Sequence, residues 1–170
     1  MYRHILVAID GSPTSARAFD AALQLARESG AELQPLYVVD VPIMAYDAPG
    51  YDPNIIRDAF MEESKHLADD ALARMKHDNV QGAPRVIEAN PVGDDFDIAH
   101  CILHAATDLN ADLVVMGTHG RRGVRRLVLG SVAERFLRIA KCPVLMISAH
   151  GVPEGATDTM GAAEREKGST

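Results

Sequence analysis

Three short runs of this chain, HILVAID (4–10), ADLVVMG (111–117) and CPVLMIS (142–148), are almost continuous in Ile, Leu, Val and Met. A strand with one wet face alternates apolar and polar residues. A strand covered on both faces carries no such alternation, and parallel sheets are built from strands of that kind. The three runs therefore call for a sheet with helices on both sides. ELQPLYVVD (32–40) and PRVIEAN (84–90) read as two further strands. Pro35 is awkward inside the second run, so its paired part is expected to begin after the proline. Pro143 opens the fifth run, where a proline is tolerated.

Helical periods fill the gaps. Ala16, Phe19, Leu23 and Ala26 recur at spacings of three and four after a Ser12-Pro13 start, and Gly30 marks the stop. Ile56, Phe60, Leu67 and Ala71 mark a second helix. Ile98, Ile102, Ala105 and Leu109 mark a third, opened by the negative charges of Asp94 and Asp95. Val132, Phe136 and Ile139 mark a fourth. Strand and helix alternate, which predicts an α/β fold with a mostly parallel sheet.

A length of 170 residues fits one domain, read here as residues 1–149, followed by a tail over 150–170 too poor in apolar residues to pack and expected to be disordered. Residues 41–54, proline-rich with two tyrosines, read as a long loop. The net charge of −7 argues against a nucleic-acid partner, which wants a broad positive field. Cys101 and Cys142 form no CxxC pair and read as reduced thiols of a cytoplasmic protein. The N-terminal apolar stretch is too short for a signal peptide, and no run approaches a membrane span.

Against that acidic background, MGTHGRRGVRRLVLGS (116–131) sets Arg121, Arg122, Arg125 and Arg126 among four glycines at the end of the fourth strand. Glycine lets a backbone come close to a phosphate and turn at positive φ. Successive N–H groups then cradle the anion, a following helix N-terminus adds its dipole, and arginines clamp the charge. Gly117, Gly120, Gly130 and Ser131 give the spacing G-x2-G-x9-G-S, which is neither a P-loop nor a dinucleotide fingerprint. The other polar strand end is Asp10-Gly11-Ser12. Ligands of open α/β sheets sit where strand order reverses, so strands one and four are expected to be neighbours.

These segments, D-G-S after the first strand, DLVVMGTHGR, LGSVAE and CPVLMI, resemble the universal stress protein family over residues 2 to about 148. The resemblance implies a single-domain, open, parallel five-stranded sheet in the order 3-2-1-4-5 with helices on both faces. It also implies a member of the ATP-binding subgroup, with Mg2+ or Mn2+ carried on the phosphates. It places Ala8, Ile9 and Asp10 on adenine and ribose, with Asp10 on ribose or on a phosphate-bound metal. Val38 flanks the adenine, Met116 and Gly117 begin the ribose and phosphate wall, and His119, Gly120, Arg121 and Arg122 line the phosphates. Gly130, Ser131 and Val132 close the site. Arg125 and Arg126 face either nucleotide or solvent, and Met44, Tyr46 and Tyr51 are candidates for a lid. In such a sheet the fifth strand is an apolar edge, and edges invite a second chain. A homodimer through residues 142–148 follows, as is common in the family.

Plainer readings stand beside these. Asp10 also suits a turn ahead of Ser12, and a charge run most often faces water. His100 and His104 lie four apart on the third helix, but no third ligand is evident, so a metal site is not expected. The function expected is a nucleotide-dependent regulatory protein of the stress response acting on an unidentified partner protein. AMP or a cyclic adenine nucleotide in place of ATP, or slow ATP hydrolysis, remain as alternatives. No water-activating base is evident, and no second carboxylate beside Asp10.

Overall fold

A computed structural model describes residues 1–40, 53–89, 97–118 and 129–148. In chain order its elements are β1 (His4–Ile9), α1 (Pro13–Ser29), β2 (Glu32–Val39), α2 (Pro53–His77), β3 (Arg85–Glu88), α3 (Ile98–Leu109), β4 (Leu113–Gly117), α4 (Ser131–Ile139) and β5 (Val144–Ile147). The five strands form one sheet in the order β3-β2-β1-β4-β5, and every pair is parallel. Strands one and four are neighbours, as the ligand argument required.

Successive residues of a strand point to opposite faces, and both faces of this sheet are covered. Ile5, Val7, Leu33, Leu113 and Val115 pack against Phe19, Ala22 and Ala26 of α1 and Ala71 and Met75 of α2. Leu6, Leu36, Val114 and Met116 pack against Ile102 and Ala105 of α3 and Phe136 of α4. Ile5, Leu6 and Val7 are all fully buried, which is why the first run shows no alternation. At the foot of the sheet, the Asp112 carboxylate accepts the backbone N–H groups of Arg3 (2.8 Å) and His4 (3.1 Å) and ties β4 to β1. Burial works to raise that carboxyl, but these hydrogen bonds outweigh it and hold it below its ordinary value.

Three local expectations change. First, β2 pairs through Pro35, which sits opposite Val7 in the interior of a central strand. The N–H of Leu33 points away from β1, to the carbonyl of Gln81 at 2.9 Å. Pro35 is two residues on, so its missing donor faces that same side, where the β3 ladder begins only at Leu36–Arg85. No ladder bond is lost, and the proline is tolerated. Second, the N-cap of α3 is Asp97, whose side chain accepts from the N–H of Ala99, while Asp94 and Asp95 lie outside the described residues. Third, residues 53 and 54 belong to α2 and not to the loop before it. The rest of that loop, 41–52, with Met44, Tyr46 and Tyr51, and the tail beyond Ser148 lie outside the described residues. The Ser12-Pro13 start and the Gly30 stop of α1 stand as read, with Gly30 at φ +68.

Candidate functional site

The carboxyl ends of β1 and β4 lie side by side, and each gives way to a shaped turn. After β1, Asp10 Oδ1 accepts the N–H of Ser12 at 2.9 Å, and Gly11 turns at φ +78. Ser12 Oγ caps α1 by accepting the N–H of Ser15 at 3.1 Å, and Ser15 Oγ accepts the N–H of Asp10 at 3.2 Å. The turn reading of Asp10 is thus realised: one carboxylate oxygen shapes the β1–α1 corner at the crevice.

After β4, Thr118 donates its N–H to the carbonyl of Ile147 (2.8 Å), while its own carbonyl accepts the N–H of Gly130 (2.8 Å). The chain therefore leaves the sheet and returns to it at one point. His119, Gly120, Arg121, Arg122, Arg125 and Arg126 fall between, outside the described residues. At the return, Gly130 is the N-cap of α4 in extended conformation and brings no side-chain acceptor. Ser12 and Asp97 cap α1 and α3 with side chains. The first N–H groups of any helix need partners, and at α4 the cap residue supplies none from its side chain. Ser131, the first residue of α4, is exposed.

Ala8, Val38, Met116 and Val132 share the face that carries α3 and α4, whereas Ile9 packs on the opposite face, against the cluster of α1 and α2. Gly117 ends β4, and Gly130 is joined to the next residue. The structure thus gathers Ala8, Asp10, Met116, Gly117, Gly130, Ser131 and Val132 at the β1–β4 end, with Val38 one strand away.

Two features escaped sequence reading. The Asp97 carboxylate gathers the α3 N-terminus, His100 Nδ1 (2.9 Å) and Arg135 Nη1 of α4 (2.7 Å), bracing the two helices against each other. Burial raises its carboxyl, but the hydrogen bonds from Arg135, the Ala99 N–H and His100 prevail and hold it below its ordinary value. The second is Glu63 of α2. A Cβ placed on Gly11 would lie 3.3 Å from Leu67 Cδ1 and 4.0 Å from Glu63 Oε1. A second carboxylate therefore stands over the corner that holds Asp10. Its signal was present: Glu63 falls three residues after Phe60 and four before Leu67, on the apolar stripe of its helix. Among the described residues no group of three or more His, Cys, Asp or Glu is placed to hold a metal ion, and no helix is long and apolar enough to cross a membrane. A shallow groove of about 470 Å³ beside α3, lined by Arg85, Glu88, His104, Asp108 and Lys141 among others, includes none of the site residues named above.

The model of the Universal stress protein family matches residues 1–148. A universal stress protein of Methanocaldococcus jannaschii is 34% identical over 148 residues, covering 86% of this chain and 82% of its own. The crystal structure of a protein of that family from Burkholderia pseudomallei is 50% identical, with 86% of this chain and 96% of the other covered and a TM-score of 0.70. Two more distant structures share the fold. One is a universal stress protein in complex with cAMP, 24% identical, with 86% and 97% coverage and a TM-score of 0.62. The other, from Archaeoglobus fulgidus, is in complex with dAMP, 21% identical, with 86% and 98% coverage and a TM-score of 0.61.

Proposed function

This chain belongs to the universal stress protein family, and on that premise we propose that it is a regulatory protein of the stress response that binds ATP between the ends of β1 and β4. The observation that carries the reading is the Gly130–Thr118 hydrogen bond. It sets the N-terminus of α4, whose cap brings no side chain, at the switch point of the sheet. Backbone N–H groups and the helix dipole there suit a phosphate. Ser131 adds a hydroxyl, and His119, Gly120, Arg121 and Arg122 complete the phosphate cradle. Ala8, Ile9 and Val38 take the base, Met116, Gly117 and Val132 flank the ribose and phosphates, and Asp10 holds the ribose or a phosphate-bound Mg2+ or Mn2+. Arg121 and Arg122 would answer the charge of the phosphates, which gives a reason for a basic loop on an acidic chain.

A second ligand reading has its own support: relatives of the same fold hold cAMP and dAMP. AMP or a cyclic adenine nucleotide shares the base and ribose contacts and would change the signal without changing the site. Hydrolysis, if it occurs, is slow. We also assign a homodimer to β5, an apolar edge strand with Val144 to Ile147 only half-buried.

The test uses protein purified without added nucleotide, denatured, its small molecules identified by liquid chromatography and mass spectrometry. Near-stoichiometric ATP supports the first reading, and AMP or a cyclic nucleotide supports the second. An empty protein that also fails to bind ATP with Mg2+ sinks both.

A further inference from the structure

Helix α2 is longer than the sheet it crosses. Its 25 residues span about 37 Å, while the eight residues of β2 beneath it span about 26 Å. The feet of both are level: Val80 donates its N–H to the carbonyl of Met75, and Leu33 donates to that of Gln81. The surplus therefore projects past the carboxyl edge of the sheet. Gly11 gives the level independently, because Glu63 and Leu67 rest on that turn just beyond β1. The residues before Glu63 stand higher still.

Among the described side chains, this projecting segment is less buried than the foot of the helix. None of its described side chains from Asn54 to Glu63 is buried, whereas Ala71 and Met75 at the other end are core residues. Arg57 ties it to the sheet. Arg57 Nε donates to Glu88 Oε1 (2.8 Å) and Oε2 (3.0 Å), and Nη2 donates to Oε2 (2.8 Å), a two-pronged grip on the last residue of β3.

We propose that residues 54–63 of α2 form a side wall at the base end of the nucleotide crevice, and that Arg57 and Glu88 are positioning residues that hold this wall and set how long the nucleotide stays. The inference rests on the reading of the site given above. With phosphates at the N-terminus of α4, a nucleotide lying along the carboxyl edge extends from β4 across β1 toward β2, so its base reaches the strands that α2 overhangs. The hydrogen bonds from Arg57 hold the Glu88 carboxyl below its ordinary value, so the grip stays charged through neutral pH. Both side chains are part-exposed, so loosening the wall is expected to leave the sheet folded.

The experiment compares the full chain with Glu88→Gln, Arg57→Gln and the exchanged pair Arg57→Glu with Glu88→Arg. Two quantities are read: amide hydrogen exchange along α2, and the association and dissociation rates of a fluorescent ATP analogue with Mg2+. A half-exposed ion pair of this kind is worth about fivefold in an opening equilibrium. Exchange over 54–62 is expected to rise about fivefold in each single variant, with 71–77 unchanged, and dissociation to quicken by a similar factor while association changes less than twofold. The exchanged pair is expected to restore both. Unchanged exchange would show that the pair does not hold the wall. Faster exchange with an unchanged dissociation rate would show that the wall is no part of the site. A wild-type chain that binds no analogue overturns the nucleotide reading and the wall's role with it, while the exchange data still decide whether Arg57 and Glu88 hold the helix.

Discussion

Replacing Asp97 separates two contributions that one side chain makes. Oδ1 caps α3 through the Ala99 N–H at 2.7 Å, and Oδ2 takes His100 Nδ1 at 2.9 Å and Arg135 Nη1 at 2.7 Å. Loss of an N-cap acceptor costs about 1 kcal/mol. The side chains of Arg135 and His100 are 62% and 39% exposed, so solvent screens both pairs, and each is worth at most about 0.5 kcal/mol. Asp97→Ala is expected to destabilise the fold by roughly 1.5–2 kcal/mol in urea titrations at pH 7. Asp97→Asn keeps a cap acceptor and loses only the charge, so its cost is about 0.5–1 kcal/mol. The folded carboxyl lies below its ordinary value, so its charge stabilises the fold above the unfolded value near 3.8 and ceases to do so as pH falls through the lower, folded value. The advantage of wild type over Asp97→Asn should thus persist from pH 7 to about 5 and shrink below about 4. If Asn costs as much as Ala, the cap is not the larger part. If the difference survives undiminished at pH 3, the charge is not involved and the electrostatic half of the reasoning is wrong.

Other outcomes follow from the same geometry. Gly82→Ala should cost more than about 3 kcal/mol, because its Cβ would lie 2.0 Å from the Leu33 carbonyl oxygen at φ +123, whereas Gly30→Ala, at φ +68 with nothing within 4 Å, should cost only about 1 kcal/mol. Equal costs in urea titration would mean that the crossing of 82 over β2 is misplaced. Gly130→Ala and Gly120→Val should each weaken ATP binding at least about tenfold by calorimetry while leaving the melting temperature within a few degrees. Unchanged affinity in both folded variants removes the glycine loop from the site. Leu145→Glu should give monomers by light scattering, since it sets a charge into the proposed strand pairing. A surviving dimer would put the interface elsewhere.

The sheet was legible because burial on both faces leaves a signature that needs no partner to read. Ile5, Leu6 and Val7 are apolar whatever lies above or below them. The caps of α1 were legible for a similar reason: Ser12, Pro13 and Gly30 act on their own backbone. Pro35 misled because a local rule met a non-local fact, namely where the β3 ladder begins. Asp97 and the Arg57–Glu88 grip were invisible for the same cause, since their partners lie on other elements: Arg135 on α4, and Glu88 on β3. Glu63 stands between the two cases. Its place on the apolar stripe of α2 marked it as facing inward, but only the packing of α2 over Gly11 shows what it faces. The Gly117, Gly120, Gly130 and Ser131 pattern proposed as the anion site is local, so its spacing could be written down from the sequence alone. The parts that brace the crevice, α2 above Gly11 and Asp97 beneath α4, are tertiary. Under the proposed nucleotide reading, family members that share the glycine spacing are free to differ in the wall and brace, and nucleotide preference and residence time are expected to vary with those residues more than with the loop.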